Sequence, residues 1–183
     1  MDAAVKEAAV DRFLREHPQM RQAACDHPAL LGCADVAWSQ IPGCPAGVEA
    51  LLHALLDEVV GPEALRVLGN VLMDSVFHVS AAMPAALPFL IRLAAVPDIA
   101  VRPGLVDLLV VAALLSEPVD VDAEHQAPLF GTDRDHPERE RCRAAFVAHA
   151  DALRALLEDE TLPDGPLGAD DRDCLLKAME PHR

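Results

Sequence analysis

"VEALLHALLDEVVGPEALRVLGNVLMDSV", residues 48–76, is where the fold class is legible. Val48, Leu51, Leu52, Leu55 and Val59 recur at i, i+3, i+4, i+7 and i+11, which lines one face of an α-helix. Gly61-Pro62 then stops one helix and starts the next. Leu65, Leu68, Val71, Leu72 and Val76 repeat the spacing and predict a second helix over about residues 63–78. The stretch thus reads as a helical hairpin closed by a tight turn.

The same grammar extends in both directions. Residues 2–16 carry Val5, Ala8, Ala9, Phe13 and Leu14 at helical spacings behind Asp2, a suitable cap. The pairs His17-Pro18 and His27-Pro28 divide the next stretch into short helices over 18–25 and 28–39, and "IPGCPAG" at 41–47 is a loop. Pro84 opens a helix over 84–95, "VPD" at 96–98 is a turn, and an apolar helix runs from 98 or 103 to 116. Residues 117–137 hold charge and three prolines without a period, so they are expected to be either a surface excursion or a functional loop. Helices follow over 137–160 and 170–179. Strand-like alternation is not evident, so the expectation is all-α.

Composition agrees. Hydrophobic residues are 52% of the chain but aromatics only 3%, so Ala, Leu and Val supply the core. These small aliphatics suit closely packed helices. A chain of 183 residues fits one domain, 1–183, with N-terminal helices (1–40), a repeat core (41–116), an acidic loop (117–137) and C-terminal helices (138–183).

The net charge of −15 is uneven. Residues 1–40 hold six acids and four bases (−2), residues 41–116 seven and three (−4), and residues 117–183 seventeen and eight (−9). That field repels phosphate backbones and anionic membranes, so neither nucleic acid nor a membrane is an expected partner. A basic partner, or plain solubility, fits better. Five scattered cysteines without a Cys-x-x-Cys pair point to reduced thiols, and the N-terminus has no secretory pattern, so the expected compartment is the cytoplasm.

Helix pairs joined by Pro/Gly turns at a spacing of about 40 residues are the mark of α-solenoids. The pairs 46–59/63–78 and 84–95/98–116 fit, with 137–160/170–179 a third. "VAWSQIPGCPAGVEALLHAL" (36–55), "PAALPFLIRLA" (84–94), "RPGLVDLLVVAA" (102–113) and "RCRAAFVAHADALRALLEDE" (141–160) resemble the HEAT-repeat-like proteins common in actinobacteria. The shared features are a tryptophan before a Gly-x-Ala stretch, a Pro-Phe-Leu helix start and a late Arg-Cys helix. The resemblance spans residues 36–160 and implies a short right-handed α-solenoid of antiparallel helix pairs, with no single activity attached. Relatives of that kind often carry a His-Gln-Gly-x-x-Tyr-like stretch after Gly-Asn. Here Gly69-Asn70 leads instead to Met73-Asp74-Ser75.

Candidate chemistry begins with Asn70, Asp74 and His78, four residues apart on the expected helix. An Asp–His pair at i, i+4 can orient an imidazole for general-base work, so Asp74 and His78 are the catalytic candidates. The alternative is a structural polar network on the outward helix face. Arg66 and Arg92 are the central charges of neighbouring helices and, with Asn70, the candidate ligand-binding groups; pairing with Asp74 is the simpler role. His125, Asp133, Asp135, His136 and Cys142 gather around the acidic loop but match no metal-ligand spacing, and no metal or cofactor is expected. Phe130, the only aromatic of that loop, is a candidate partner anchor. Cys25, Cys33 and Cys44 read as small buried hydrophobes.

Two functions compete. One is a non-catalytic interaction module, of adaptor or immunity type, presenting an acidic helical surface to a protein. The other is a ligand-binding protein or a subunit of a natural-product tailoring enzyme, holding a small polar ligand in a helix-lined pocket of Asp74, His78 and Arg92. A HEAT-like nucleic-acid glycosylase is excluded, since only three of the fifteen basic residues lie in 41–116.

Overall fold

The computed structural model describes residues 2–22, 27–119, 127–159 and 167–181. Helix α1, Ala3–Glu16, begins where the Asp2 carboxylate accepts a hydrogen bond from the Ala4 amide. Its inward stripe is Lys6, Val10, Phe13 and Leu14, while Val5 lies outside at 54% exposure. The stripe is therefore shifted by one position from the sequence expectation, and it carries a lysine.

Among the described residues from Pro18 to Gln40 the chain forms three short 3-10 turns, Pro18–Gln22, Pro28–Leu30 and Trp38–Gln40, where two helices are expected. Proline at a turn start and Gly32 at φ +83 favour such tight pieces over continuous helix. Trp38 is still fixed in the core: its indole N–H donates to the Cys33 carbonyl at 3.1 Å and its ring meets Phe89 at 6.1 Å.

Gly47, at φ +93, turns the chain into α2, Val48–Ala54. A Cβ there would stand 2.8 Å from Leu14 and 3.0 Å from Val10, so α1 and α2 meet at a point only glycine allows. Helix α2 stops short of the expected residue 59. The Asp57 carboxylate accepts from the Val59 and Val60 amides at 2.9 Å each and folds the chain into α3, Gly61–Leu72. Those two hydrogen bonds to the ionised form hold the Asp57 carboxyl below its usual range.

Helix α3 ends at Leu72, six residues before the expected boundary. Met73 is extended, and strands β1 (Met73–Ser75) and β2 (His78–Val79) form a small antiparallel hairpin pairing Met73 with Val79 and Ser75 with His78. Two local features favour it. The Ser75 hydroxyl accepts from the Phe77 amide at 3.1 Å, and the returning Ser80 amide satisfies the otherwise orphaned Leu72 carbonyl at 2.8 Å. Val76, Phe77 and Val79 are strand-forming types.

Helices α4 (Met83–Ala94) and α5 (Arg102–Ser116) form an antiparallel pair around the Val96-Pro97-Asp98 turn. A single helical turn, α6 (Ala127–Phe130), lies within the acidic excursion. The expected helix over 137–160 is broken at His149 into α7, Pro137–Ala148, and α8, Ala150–Glu158, and α9 spans Ala169–Ala178. The described residues are thus mostly helical, with one two-stranded sheet.

Packing is not strictly in chain order: the Pro28–Leu30 turn lies against α4. Helix α3 lies against α1, α2 and α5; α4 and α5 both take α7; α5 also takes β2 and α9. Leu51, Leu52, Leu68, Leu72, Leu87, Leu90, Leu105, Leu109, Phe146 and Leu153 are sealed from solvent. No helix among the described residues is long and apolar enough to cross a membrane.

Candidate functional site

Because α3 ends at Leu72, the expected column of Asn70, Asp74 and His78 does not stand on one helix. Asn70 remains on α3, half-buried, and its side chain has no hydrogen-bond partner among the described residues. Asp74, on β1, meets the Lys6 ammonium at 2.5 Å. Lys6 is almost fully buried while the Asp74 side chain is half exposed, so the carboxylate acts as a lid on a cation carried in by α1. Lys6 is not among the residues the sequence singles out, although its i, i+4, i+7 relation to Val10 and Phe13 places it on the buried stripe.

His78 points elsewhere. Its Nδ1 lies 2.8 Å from the Ser75 hydroxyl, it is hydrogen-bonded to the Phe130 backbone, and its ring stacks on His136 with centroids 4.3 Å apart. His136 Nδ1 is in turn 2.9 Å from the Glu138 carboxylate. Burial, reinforced by His136 and Arg139, lowers the His78 pKa and favours a neutral imidazole. The histidine pair therefore ties the β-hairpin to the stretch entering α7. Beside it Phe77 and Phe130 meet edge to face at 5.4 Å.

The loop before α7 is held by arginines. Arg139, buried, donates from Nη2 to the Phe130 carbonyl and lies 4.0 Å from Asp133; burial lowers its pKa, with Asp133 opposing the shift. Arg143 bridges Asp133 at 2.5 Å and the Ser116 carbonyl at 2.7 Å. Gly131, at φ +65, lets the His136 ring pass within 2.6 Å of where a Cβ would stand. Asp135 is exposed and accepts from Thr132 at 2.8 Å. His125 and Cys25 lie outside the described residues.

Arg66 and Arg92 do not face Asp74. Arg66 forms a surface pair with Glu63 at 2.7 Å. Arg92 donates to the Pro88 and Leu31 carbonyls at 3.0 and 3.1 Å and stacks over Phe89. The arginines that the core holds are Arg139 and Arg102, the latter bound to the Ala94 carbonyl at 2.8 Å and to Asp159 at 2.5 Å. Cys33 and Cys142 are buried and Cys44 is half-buried; burial raises the Cys44 thiol to about 11 and the Cys142 thiol to about 12, which suppresses thiolate chemistry.

The chemistry open to this arrangement depends on the spaces beside it. A cavity of about 250 Å³ adjoins the histidine pair, walled by Leu114, Leu115, Glu117, Pro118, Val119, Phe130 and Arg139. Neither imidazole is among its walls. A second, of about 260 Å³, lies between α3 and α5, walled by Leu65, Arg66, Gly69, Asn70, Gly104, Asp107, Leu108 and Val111. Among the described residues no group of three or more His, Cys, Asp or Glu side chains is placed to hold a metal. These two hollows along α5 are mostly apolar; a larger one, of about 530 Å³, lies beside α1 and α2, where Asp11, Arg21, Trp38, Glu49 and His53 are among its walls. Comparison with known proteins finds no matching family model, no similar curated protein and no similar solved structure.

Proposed function

We propose that this chain is a non-catalytic protein-interaction module, an adaptor or immunity-type protein built as a short HEAT-like α-solenoid. The observation that carries the reading is the dispersal of the polar column: Asp74 is taken by Lys6, and His78 by Ser75, Phe130 and His136. Both groups have partners that stabilise the fold, and neither is turned toward a cavity with a second reactive group. The contact of α3 with α5, and those of α4 and α5 with α7, support the solenoid, since neighbouring hairpins touch. An acidic surface, at net charge −15, favours a basic protein over nucleic acid. The alternative, a tailoring-enzyme subunit with Asp74, His78 and Arg92 around one small polar ligand, rests on three residues that have separate surroundings.

The test is reconstitution. Candidates captured from the native cell are purified and mixed with this protein, and a stoichiometric complex is expected by light scattering. Turnover of a metabolite by the purified protein, lost in His78→Ala with the fold intact by circular dichroism, overturns the reading.

A further inference from the structure

Helix α5, "RPGLVDLLVVAALLS", has a single acid within its apolar length and apolar residues all round. Such a helix is ordinarily enclosed on every side. Here Leu105, Val106, Leu109, Val110, Ala112 and Ala113 are buried, yet one stripe is not: Val111 is 39% and Leu114 51% exposed, with Leu108 and Leu115 half covered. Gly104, Leu108, Val111 and Leu115 succeed one another at i+4, i+3 and i+4, so they form one ridge about three turns long. Both hollows lie along that ridge, one over Gly104 to Val111 and the other over Leu114 and Leu115.

Three further observations point to an occupant. Gly69 stands in the third turn of α3, facing the groove, where glycine weakens a helix. A Cβ at Gly69 would meet nothing within 4 Å, so no contact inside this chain requires its small size. Asn70, beside it, has an amide without a hydrogen-bond partner among the described residues. Asp107, exposed on the ridge, has no cation or hydrogen-bond donor among the described residues, while Arg66 across the groove is already neutralised by Glu63. Residues 117–183, which follow α5 in the chain, carry −9 of the net charge.

We propose that the uncovered face of α5, with Gly69 and Asn70 of α3, docks an amphipathic helix of a partner protein that is apolar along its seam and basic along its margin. The proposal rests on the interaction-module reading and names its surface. Gly69 leaves room for close backbone approach, Val111 and Leu114 receive the apolar seam, and Asp107 takes a lysine or arginine. A second copy of this chain is a poor occupant, because two molecules of charge −15 would meet there.

Fluorescence anisotropy with two labelled model helices of about 14 residues tests this. Both carry a leucine seam, one with lysine flanks and the other with glutamate flanks. The lysine-flanked helix is expected to bind and the glutamate-flanked one to bind at least about ten-fold more weakly. Leu114→Asp and Gly69→Leu should each weaken the lysine-flanked helix about ten-fold, with melting curves showing that both variants fold. Leu114→Asp adds negative charge, so its loss of binding separates docking from general attraction to an acidic protein. Val59→Asp, at an exposed site outside the walls of both hollows, should change affinity by less than about two-fold. Binding that ignores Leu114→Asp and Gly69→Leu, or no binding of the lysine-flanked helix, overturns the groove. So does a wild-type dimer in sedimentation that Leu114→Asp dissociates. None of these results overturns the interaction reading, which the reconstituted complex decides.

Discussion

Lys6 and Asp74 show how a single side chain couples distant parts of this fold. The Lys6 ammonium is drawn into α1's inward stripe, and it is met there by a carboxylate from the hairpin. Asp74→Ala strands that cation, and the expected cost is about 2 kcal/mol, below that of a fully buried pair because Asp74 is half exposed. The double variant Lys6→Met, Asp74→Ala should recover most of the loss, since methionine fills the same space without a charge. Urea titrations of the single and double variants check both statements. His78 and His149 make a second expectation at this scale. Burial lowers both pKa values, so each folded imidazole binds its proton less tightly than in the unfolded chain, which titrates near 6.5. The stability these groups contribute is present above that value and is lost as the pH falls below it. Melting temperature should therefore drop between pH 7 and 5.5, and His78→Gln with His149→Gln should flatten that drop.

At the scale of elements, boundaries were set by groups the hydrophobic period does not report. The spacing through Val76 continues the α3 pattern, but Ser75 offers its hydroxyl to the Phe77 amide and the chain turns back. A period of apolar residues says which face is buried if a helix forms; it does not weigh a side chain that competes for the backbone. "DSVFHV", with turn formers ahead of strand formers, held the relevant signal. Gly69 gives the expectation at this scale. Alanine there completes the third turn of α3 without a clash, so Gly69→Ala should raise stability by about 0.5–1 kcal/mol in urea titration. The proposed docking predicts that this more stable variant binds its partner more weakly.

For the whole molecule, charge repulsion adds to chain entropy in opposing the core. Of its formal −15, −9 falls on residues 117–183, and the folded chain holds these like charges closer together than the unfolded one. Added salt screens that repulsion. The melting temperature should rise by a few degrees between about 20 and 300 mM sodium chloride, as read by circular dichroism. A fall would mean that its ion pairs, such as Arg102 with Asp159 and Arg143 with Asp133, outweigh the repulsion.

The sequence by itself determined the helical class, the α4–α5 hairpin and the acidic balance, because these depend on spacing, propensity and sums along the chain. Tertiary structure alone decided that Asn70, Asp74 and His78 part company, that Lys6, Arg102 and Arg139 are the cations drawn inside, and that one stripe of α5 stays uncovered. Those outcomes turn on which distant backbone or carboxylate arrives beside a side chain. Local periodicity carries no record of that meeting, since the same apolar stripe is compatible with several neighbours and only the assembled packing selects one.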